Sequence, residues 1–249
     1  MERIMRTIDD LVVHINKYKD SVIIVGKYIN DKLKEYDPVK FNEDYSRKSL
    51  KRTPEKLWNF FRDYLYTDIN DSKVYDNIEN IPHSLIVDQN INGKLMNSKD
   101  VYNIHGHINT FICSKCKTIY TIDSVLNDDG SYNTECEVCG KEIRPSVLLS
   151  GERYNNTLYN DFKQKLIDTH TLILIGMDYS EQTLLDLIAD YGDLKSQVNA
   201  EENPDNKKML VILQTEDCKF NPAQITFPEY LVKGNISEKL NILTQKITD

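Results

Sequence analysis

Four cysteines stand in two pairs whose spacing suits a single metal ion. Each pair leaves two residues between its sulfurs, and 19 residues separate Cys116 from Cys136. Four thiolates at tetrahedral corners match the preference of zinc and leave no open position for water, so such a site is structural. The alternatives are two disulfides or four unrelated thiols. We predict one structural zinc ion, bound by Cys113, Cys116, Cys136 and Cys139.

A histidine and an amide-rich segment are the other candidates for chemistry. His105 precedes Gly106, and imidazole exchanges a proton near neutral pH, which suits a general base. Taken alone, a polar histidine is more often an ordinary surface or capping residue. The amide-rich segment Asp88-Gln89-Asn90-Ile91-Asn92-Gly93 follows a short apolar run that begins at Ser84. Neither feature assigns a reaction by itself.

Short apolar runs alternate with amphipathic segments along much of the chain. The runs are predicted to be buried strands, and they cover residues 21–26, 84–88, 171–176, 208–213 and 230–234. Helices are predicted for residues 3–20, from Thr53-Pro54 onward, for residues 181–191 and after residue 234. Buried strands separated by helices indicate a parallel α/β sheet that is covered on both faces.

Two of the predicted strands end in glycine, at Gly26 and Gly176. At the carboxyl edge of a parallel sheet such a position lets a loop approach a ligand closely. The cysteines belong to a different kind of segment, residues 103–146, which contains short β-favouring runs. We expect this segment to be a small ribbon inserted into a larger domain.

The overall composition excludes several classes of protein. A formal net charge of −8 argues against general nucleic-acid binding, which needs a basic face. No run approaches the roughly 18 apolar residues that a membrane helix requires, and residues 1–10 lack the apolar core of a signal peptide. We therefore expect a cytoplasmic protein with no membrane partner, in which the thiols stay reduced.

The order of these motifs resembles that of the sirtuins, which are NAD-dependent protein lysine deacylases. Residues 88–93 are similar to the family's Thr-Gln-Asn-Ile-Asp-Gly, and Ile104-His105-Gly106 to its catalytic His-Gly. The cysteine pairs follow at the family's distance. Residues 144–152 then resemble its Arg-Pro-x-Val-Val-x-Phe-Gly-Glu segment. The resemblance covers most of residues 20–245 and is strongest over 86–152.

This resemblance implies a fold, a cofactor and a substrate. The fold would be a single sirtuin-like domain, with a Rossmann-like part formed by residues 1–102 and 147–249 and an inserted zinc-ribbon module at 103–146. NAD and an acyl-lysine protein or peptide would be the ligands, converted to nicotinamide and O-acyl-ADP-ribose. The implied catalytic residues are His105, as base on a ribose hydroxyl, and Asn90, which holds the ribose. The implied cofactor contacts are Gly26, Gln89, Asn90, Asn92, Gly176, Gly234 and Asn235, and the implied substrate contacts are Val147, Leu148, Gly151 and Glu152.

Several positions on the nucleotide side depart from the family pattern. The first loop should read Gly-Ala-Gly-Ile-Ser, but residues 26–30 read Gly-Lys-Tyr-Ile-Asn, so Lys27 and Tyr28 place bulk where the pyrophosphate approaches. Asn92 replaces an aspartate that contacts nicotinamide, and an acidic Asp178 stands near the second glycine. Further substitutions are Met177 for threonine, Ser150 for the phenylalanine of the acyl-lysine tunnel, and Leu213 for an asparagine on the adenine side.

Two functions therefore stay open at the level of sequence. The family resemblance favours an NAD-dependent protein deacylase, with the altered nucleotide loop counting against activity. The alternative is a non-catalytic, sirtuin-like zinc-binding protein that binds a protein or an altered nucleotide ligand. A zinc ribbon that acts on nucleic acid is disfavoured by the acidic composition.

Overall fold

The structure is a computed structural model that describes residues 7–29, 43–66, 72–153, 156–177, 179, 182–201, 203, 205–216 and 228–248. The helices within these ranges are α1 (Ile8–Tyr18), α2 (Arg47–Arg52), α3 (Pro54–Tyr66), α4 (Ser72–Asn80), α5 (Ile122–Val125), α6 (Asn156–Asp168), α7 (Gln182–Ala200) and α8 (Ile236–Thr248). The strands are β1 (Ser21–Val25), β2 (His83–Asp88), β3 (Val101–Asn103), β4 (Gly106–Cys113), β5 (Ile119–Thr121), β6 (Ile143–Val147), β7 (Thr171–Ile175), β8 (Met209–Gln214) and β9 (Tyr230–Lys233). A short 3₁₀ helix, Lys27–Ile29, follows β1.

The larger sheet in the described residues is parallel and has the strand order β3-β2-β1-β7-β8-β9. The chain builds outward from β1 to one edge and returns at β7 to build the other, so the order reverses between these two strands. This confirms the predicted Rossmann-like sheet. A reversal point is where sheets of this class commonly bind ligands, beyond the carboxyl ends of the strands.

Both faces of this sheet are covered by helices. Along β1, Ile23 and Val25 pack against residues of α1, α4 and α8, whereas Val22 and Ile24 pack against α6 and α7. All five side chains of β1 and of β7 are buried. Because each buried Val or Ile contributes about 1.5–3 kcal/mol, the apolar runs that predict the strands are also a main source of core stability.

The cysteine-bearing segment forms a smaller antiparallel sheet, with the order β5-β4-β6 among the described residues. Strand β4 begins at Gly106, directly after His105, and ends at Cys113. Its pairing with β6 shifts register between His107 and Phe111, and shifts of this kind bend a strand and increase its twist. The boundaries of the inserted module, 103–146, remain a prediction.

Helix α3 connects the smaller sheet to the rest of the chain. Its Trp58 stacks on Phe111 of β4, with ring centroids 5.8 Å apart, and contacts Tyr132 at 4.5 Å. Further along α3, Phe61 belongs to a second apolar cluster that includes Val147 at the end of β6. The helix therefore packs on both the cysteine-bearing end and the opposite end of the small sheet.

The helix predictions were partly wrong in extent. Helix α3 begins at Pro54 as predicted, and α1 begins at Ile8 with Thr7 as its cap. Helix α7 continues to Ala200 rather than ending at Tyr191, because the buried Lys195 pairs with Glu229 at 2.6 Å and extends its inward face. Helices α2, α4, α5 and α6 were not predicted. No helix of the described ranges is long and apolar enough to cross a membrane.

Candidate functional site

The carboxyl ends of β1 and β7 meet at two glycines. Gly26 donates its N–H to Ile175 O at 2.8 Å, and Tyr28 donates to Gly176 O at 3.0 Å. A Cβ atom on Gly26 would collide with Gly176 O, and one on Gly176, whose φ is +58°, would lie 2.7 Å from Ile29 N. Both glycines therefore serve close backbone packing within the protein. Asn30 and Asp178, which belong to the same two loops, lie outside the described residues.

The end of β2 places a carboxyl group and an amide beside these glycines. Asp88 Oδ1 accepts hydrogen bonds from Asn90 N at 2.9 Å and from Asn90 Nδ2 at 3.0 Å. Asn90 Nδ2 also donates to Gly26 O at 3.1 Å. Asp88 is fully buried and Asn90 nearly so, so these bonds fix both side chains below the surface of the reversal point.

Asp88 and Asn90 each have a buried oxygen atom with no hydrogen-bond partner among the described residues. The two atoms are Asp88 Oδ2 and Asn90 Oδ1. A buried acceptor without a donor costs about 1–3 kcal/mol, and such atoms in a native site are commonly satisfied by a ligand. Hydroxyl groups are suitable donors, so this part of the site fits a sugar such as the ribose of NAD.

Burial also changes the protonation of Asp88. Removal of the carboxyl group from water raises the pKa of Asp88 to about 6, although the hydrogen bonds from Asn90 and the charge of His105 act in the opposite direction. The site therefore holds a carboxyl group that is ionised at neutral pH and titrates close to it. Sequence reasoning did not single out Asp88, although it is the acidic residue of the amide-rich segment.

His105 lies at the entrance to β4, and both its ring and its backbone carbonyl are hydrogen bonded. Its Nδ1 lies 2.7 Å from Gln89 O, and its own carbonyl oxygen accepts from Leu148 N at 2.7 Å. Because a carbonyl oxygen only accepts, Nδ1 carries the proton in this contact, and Nε2 is the nitrogen that can take up a proton. Gln89 N in turn donates to Val25 O at 2.9 Å, which ties the histidine to the end of β1.

Asn92, a predicted cofactor contact, has both ends of its amide engaged by the protein. Its Nδ2 lies 2.6 Å from the Tyr75 hydroxyl, and its Oδ1 accepts from Lys94 N at 2.9 Å. The side chain is buried. Tyr75 lies on α4, a helix that sequence reasoning missed, so this contact had no signal in the motif itself.

The predicted substrate segment is braced by an ion pair. Arg144 contacts Glu152 through two bonds of 2.5 and 2.9 Å, and both side chains are largely buried. Glu152 also accepts from Leu149 N at 3.0 Å, and Arg144 donates to Val147 O at 2.7 Å. Burial raises the pKa of Glu152, but the bonds from Arg144 and Leu149 outweigh it, and the net pKa is lowered. Glu152 thus fixes the backbone conformation of residues 144–152.

An open cleft of about 370 Å³ lies beside this segment. His105, Val147 and Leu148 contribute to its wall, together with Arg153. Gly151 is exposed, with a φ of +87° and no atom near its missing Cβ. The structure therefore brings the predicted base and two of the predicted substrate residues to one cleft.

The predicted contacts on the far side of the sheet lie at the end of β9. Gly234 donates its N–H to Gln214 O at 2.9 Å, and Asn235 Oδ1 accepts from Glu238 N at 3.1 Å in the first turn of α8. Asn235 is thereby the cap of this helix. Leu213, which stands where the family has an asparagine, is buried in the apolar core.

The four cysteine sulfurs form one cluster, with the potential ligand atoms all within 4.8 Å of one another. Cys113 and Cys139 Sγ are 3.5 Å apart, as are Cys116 and Cys136 Sγ. These distances are far longer than the roughly 2.05 Å of a disulfide and close to the sulfur spacing around zinc, for which Zn–S is about 2.3 Å. The donor set fits one tetrahedral zinc ion with no open position.

Neighbouring hydroxyl groups favour thiolates at this cluster. Hydrogen bonds from Thr118 lower the pKa of Cys116 to about 6. The Tyr120 hydroxyl, 3.1 Å from Cys136 Sγ, lowers the pKa of that thiol. Burial raises the pKa of the Cys139 thiol to about 11, so these contacts favour the deprotonated sulfur that zinc binds at Cys116 and Cys136 but not at Cys139.

Comparison with known proteins gives a family match and close relatives. Residues 24–181 match the Sir2 family. The NAD-dependent protein deacetylase of Staphylococcus aureus (strain MRSA252) is 31% identical over 176 residues, which cover 67% of this chain and 71% of that protein.

Solved structures show the same fold at lower identity. A Sir2 homologue in complex with NAD has a TM-score of 0.72 at 15% identity, covering 100% of this chain and 96% of that one. Sir2 bound to an acetylated peptide has a TM-score of 0.71 at 17% identity, covering 97% of this chain and 98% of that one.

Proposed function

The chain belongs to the Sir2 family, and we propose that it is an NAD-dependent protein lysine deacylase. The observation that carries the proposal is the hydrogen bond between His105 Nδ1 and Gln89 O at 2.7 Å. It leaves Nε2 as the proton acceptor, beside a cleft whose wall His105 shares with Val147 and Leu148. The S. aureus relative acts as an NAD-dependent protein deacetylase, and we extend that activity to this chain.

The residues of the site divide the work between binding and proton transfer. Bound NAD would supply an electrophilic ribose carbon, to which the acyl oxygen of the substrate lysine bonds as nicotinamide leaves. Asn90 Oδ1 accepts a hydrogen bond from a ribose hydroxyl, and His105 Nε2 takes a proton from a ribose hydroxyl as general base. Gln89 transfers no proton in this scheme, because its backbone carbonyl only orients the imidazole.

The acyl-lysine peptide would lie in the cleft beside β6. A related Sir2 protein binds an acetylated peptide, and Val147 and Leu148 offer apolar surface next to His105. The Arg144–Glu152 pair keeps this segment in place without contacting the reacting atoms. Gly151 gives the following turn its positive φ.

Zinc would stabilise the cysteine-bearing segment without taking part in the reaction. Its four thiolate ligands would leave no position for water, so the ion would neither activate a nucleophile nor polarise a substrate. Its binding free energy would instead stabilise a segment with a small apolar core.

The decisive experiment measures nicotinamide release by the zinc-loaded full chain, supplied with NAD and an acetyl-lysine peptide. We expect release that depends on the peptide and that falls by at least about a hundredfold in His105→Ala, since a general base contributes about 10²–10⁴-fold. The matched control is His107→Ala, which removes a half-buried histidine on β4, two residues after His105. No peptide-dependent release by the wild type, or equal loss in both variants, would refute the proposal.

A second candidate function is a non-catalytic sirtuin-like protein that binds a protein or an altered nucleotide. Two observations favour it: Gly26 and Gly176 are packed against each other, and both ends of the Asn92 amide are bonded within the protein. Calorimetric titration separates the two functions. Absence of heat with millimolar NAD, with and without the peptide, would favour the non-catalytic protein, whereas binding of NAD followed by turnover would exclude it.

A further inference from the structure

The acidic residue of the amide-rich segment has changed place relative to the family pattern. The family carries an aspartate at the position of Asn92 and a threonine at the position of Asp88. In this chain the carboxyl group stands four residues earlier, at the end of β2, and it is fully buried. Asn92 in turn is bonded to Tyr75. The two substitutions therefore place one carboxyl group at a new point of the same site.

At this point the carboxylate determines which way the Asn90 amide faces. Asn90 Nδ2 lies 3.0 Å from Asp88 Oδ1 and 3.1 Å from Gly26 O. Both of these oxygens are acceptors when Asp88 is ionised, so only the NH₂ end of the amide can point toward them. Asn90 Oδ1 is consequently the other end, and it is buried without a partner among the residues that the structure describes.

We propose that Asp88 is a positioning residue of the ribose site, whose buried carboxylate holds the Asn90 amide with Oδ1 presented to a ligand hydroxyl. This inference rests on the proposed function, because the ligand hydroxyl is that of the NAD ribose. Asp88 acts through Asn90 and touches no reacting atom in this role. Its second oxygen, Oδ2, is also buried without a hydrogen-bond partner among the described residues.

A purely structural role would not account for this carboxylate. A charged group removed from water destabilises the fold unless it is paired. Among the described residues only Asn90 donates hydrogen bonds to the Asp88 carboxyl group, and its Oδ2 is unsatisfied. His105 is the one titratable group among them whose charge stabilises the ionised form. The loss of stability that Asp88 causes in the free protein is explained if the orientation it gives to Asn90 is needed for ligand binding.

The test compares Asp88→Asn with the wild type, as zinc-loaded full chains, by calorimetric titration with NAD and by urea unfolding. An asparagine keeps the size and one acceptor, but it also carries a donor and no charge, so only Gly26 O is left to hold the Asn90 amide in its orientation. The matched control is Asp20→Asn. Asp20 directly precedes β1, at the amino end of the parallel strands and far from Asp88, and its carboxyl group lies 2.6 Å from His170 Nδ1.

We expect Asp88→Asn to bind NAD at least about tenfold more weakly at pH 8, because the charge-assisted hydrogen bonds that hold the Asn90 amide are lost. We also expect it to unfold at a higher urea concentration than the wild type. The difference in NAD affinity should narrow below about pH 6, where Asp88 itself becomes protonated. Asp20→Asn should lose stability while its NAD affinity stays unchanged.

The contrary outcomes are distinct from one another. NAD affinity within twofold of the wild type at every pH would overturn the role of Asp88 while leaving the proposed function intact. Weaker binding together with lower stability would identify Asp88 as a structural residue and overturn the inference. A wild type that binds no NAD would overturn both proposals. If Asp88→Asn does not fold, Asp88→Thr, which carries the family's residue, gives the same comparison.

Discussion

Neither Gly26 nor Gly176 has room for a Cβ atom, because the first would collide with Gly176 O and the second would lie 2.7 Å from Ile29 N. The contact joins the ends of the two central strands, and the hydrogen bond from Tyr28 N to Gly176 O closes the turn that follows β1. The first glycine of the altered nucleotide loop thus has a structural reason to persist. Its retention alone is no sign that a pyrophosphate binds there.

Replacement of Gly176 by alanine should destabilise the protein strongly. The methyl group would meet Ile29 N, and alanine disfavours the φ of +58°, so we expect a loss of about 2–5 kcal/mol in the free energy of unfolding. The matched control is Gly151→Ala, where φ is +87° but no atom lies within 4 Å of the new methyl group. That variant should lose only about 1–2 kcal/mol, and equal losses in urea unfolding would show that the close contact does not matter.

Removal of zinc should be visible in the fluorescence of Trp58, which is the one tryptophan of the sequence. Its ring stacks on Phe111 and contacts Tyr132 of the cysteine-bearing segment. A chelator should loosen that segment, expose the ring and shift its emission to longer wavelength, and added zinc should restore it. Cys136→Ser should show the shifted emission without chelator. An emission spectrum that is unaffected by metal removal would mean that the segment folds without zinc.

The Arg144–Glu152 pair should contribute to stability in a pH-dependent way. Arg144→Met leaves a largely buried carboxylate without its cation, so we expect a loss of about 1–3 kcal/mol at pH 7. The pKa of Glu152 is lowered in the fold from a usual value of 4.5. The contribution is therefore present above about pH 4.5 and is lost as the pH falls through the lowered pKa.

The control for this pair is Lys163→Met, which removes the cation of the exposed pair with Asp190. Exposed pairs are worth at most about 1 kcal/mol, so this variant should remain close to the wild type at every pH. A loss in Arg144→Met that did not shrink in acid would assign the effect to the packing of the arginine side chain instead of its charge.

The buried carboxyl group of Asp88 should give the opposite pH dependence. Its pKa is raised from 3.8 to about 6 in the fold, so the unfolded chain loses this proton at a lower pH than the native protein does. The contribution of Asp88 to stability is then full below about pH 4 and is lost as the pH rises to about 6. The unfolding free energy of the wild type relative to Asp88→Asn should therefore decline over this interval by a few kcal/mol. A difference that is constant between pH 4 and pH 7 would contradict the raised pKa.

The sequence predicts those parts of the molecule that leave a local pattern. The apolar runs of β1 and β7 have to be buried on both faces, and the cysteine pairs have to meet around a metal, so both are readable from spacing. The contact of Asn92 with Tyr75 bridges 17 residues, and that of Lys195 with Glu229 bridges 34. Pairing of polar groups across such distances imposes no period on the chain, so neither contact could be predicted.

The orientation of the Asn90 amide shows the same limit within a recognised motif. Similarity to a family identifies Asn90 and His105 as neighbours of a ligand, because their order and spacing match. It does not reveal which acceptor faces the amide, since this depends on Gly26 O and on a carboxylate that the family lacks. The contacts of residues that differ from the family pattern could therefore be seen only in the folded structure.

Strand β4 connects His105, just before its first residue, to Cys113, one of the four clustered cysteines. Eight residue steps separate His105 from Cys113, or roughly 26 Å along an extended strand. The register shift between His107 and Phe111 is the place where this strand can bend. Strain at the metal end that is not absorbed there would be transmitted to the imidazole, and a displacement of about 1 Å at a reacting group can cost about a hundredfold in rate. The stiffness of this strand thus determines how far a displacement at the cysteine cluster also moves the histidine.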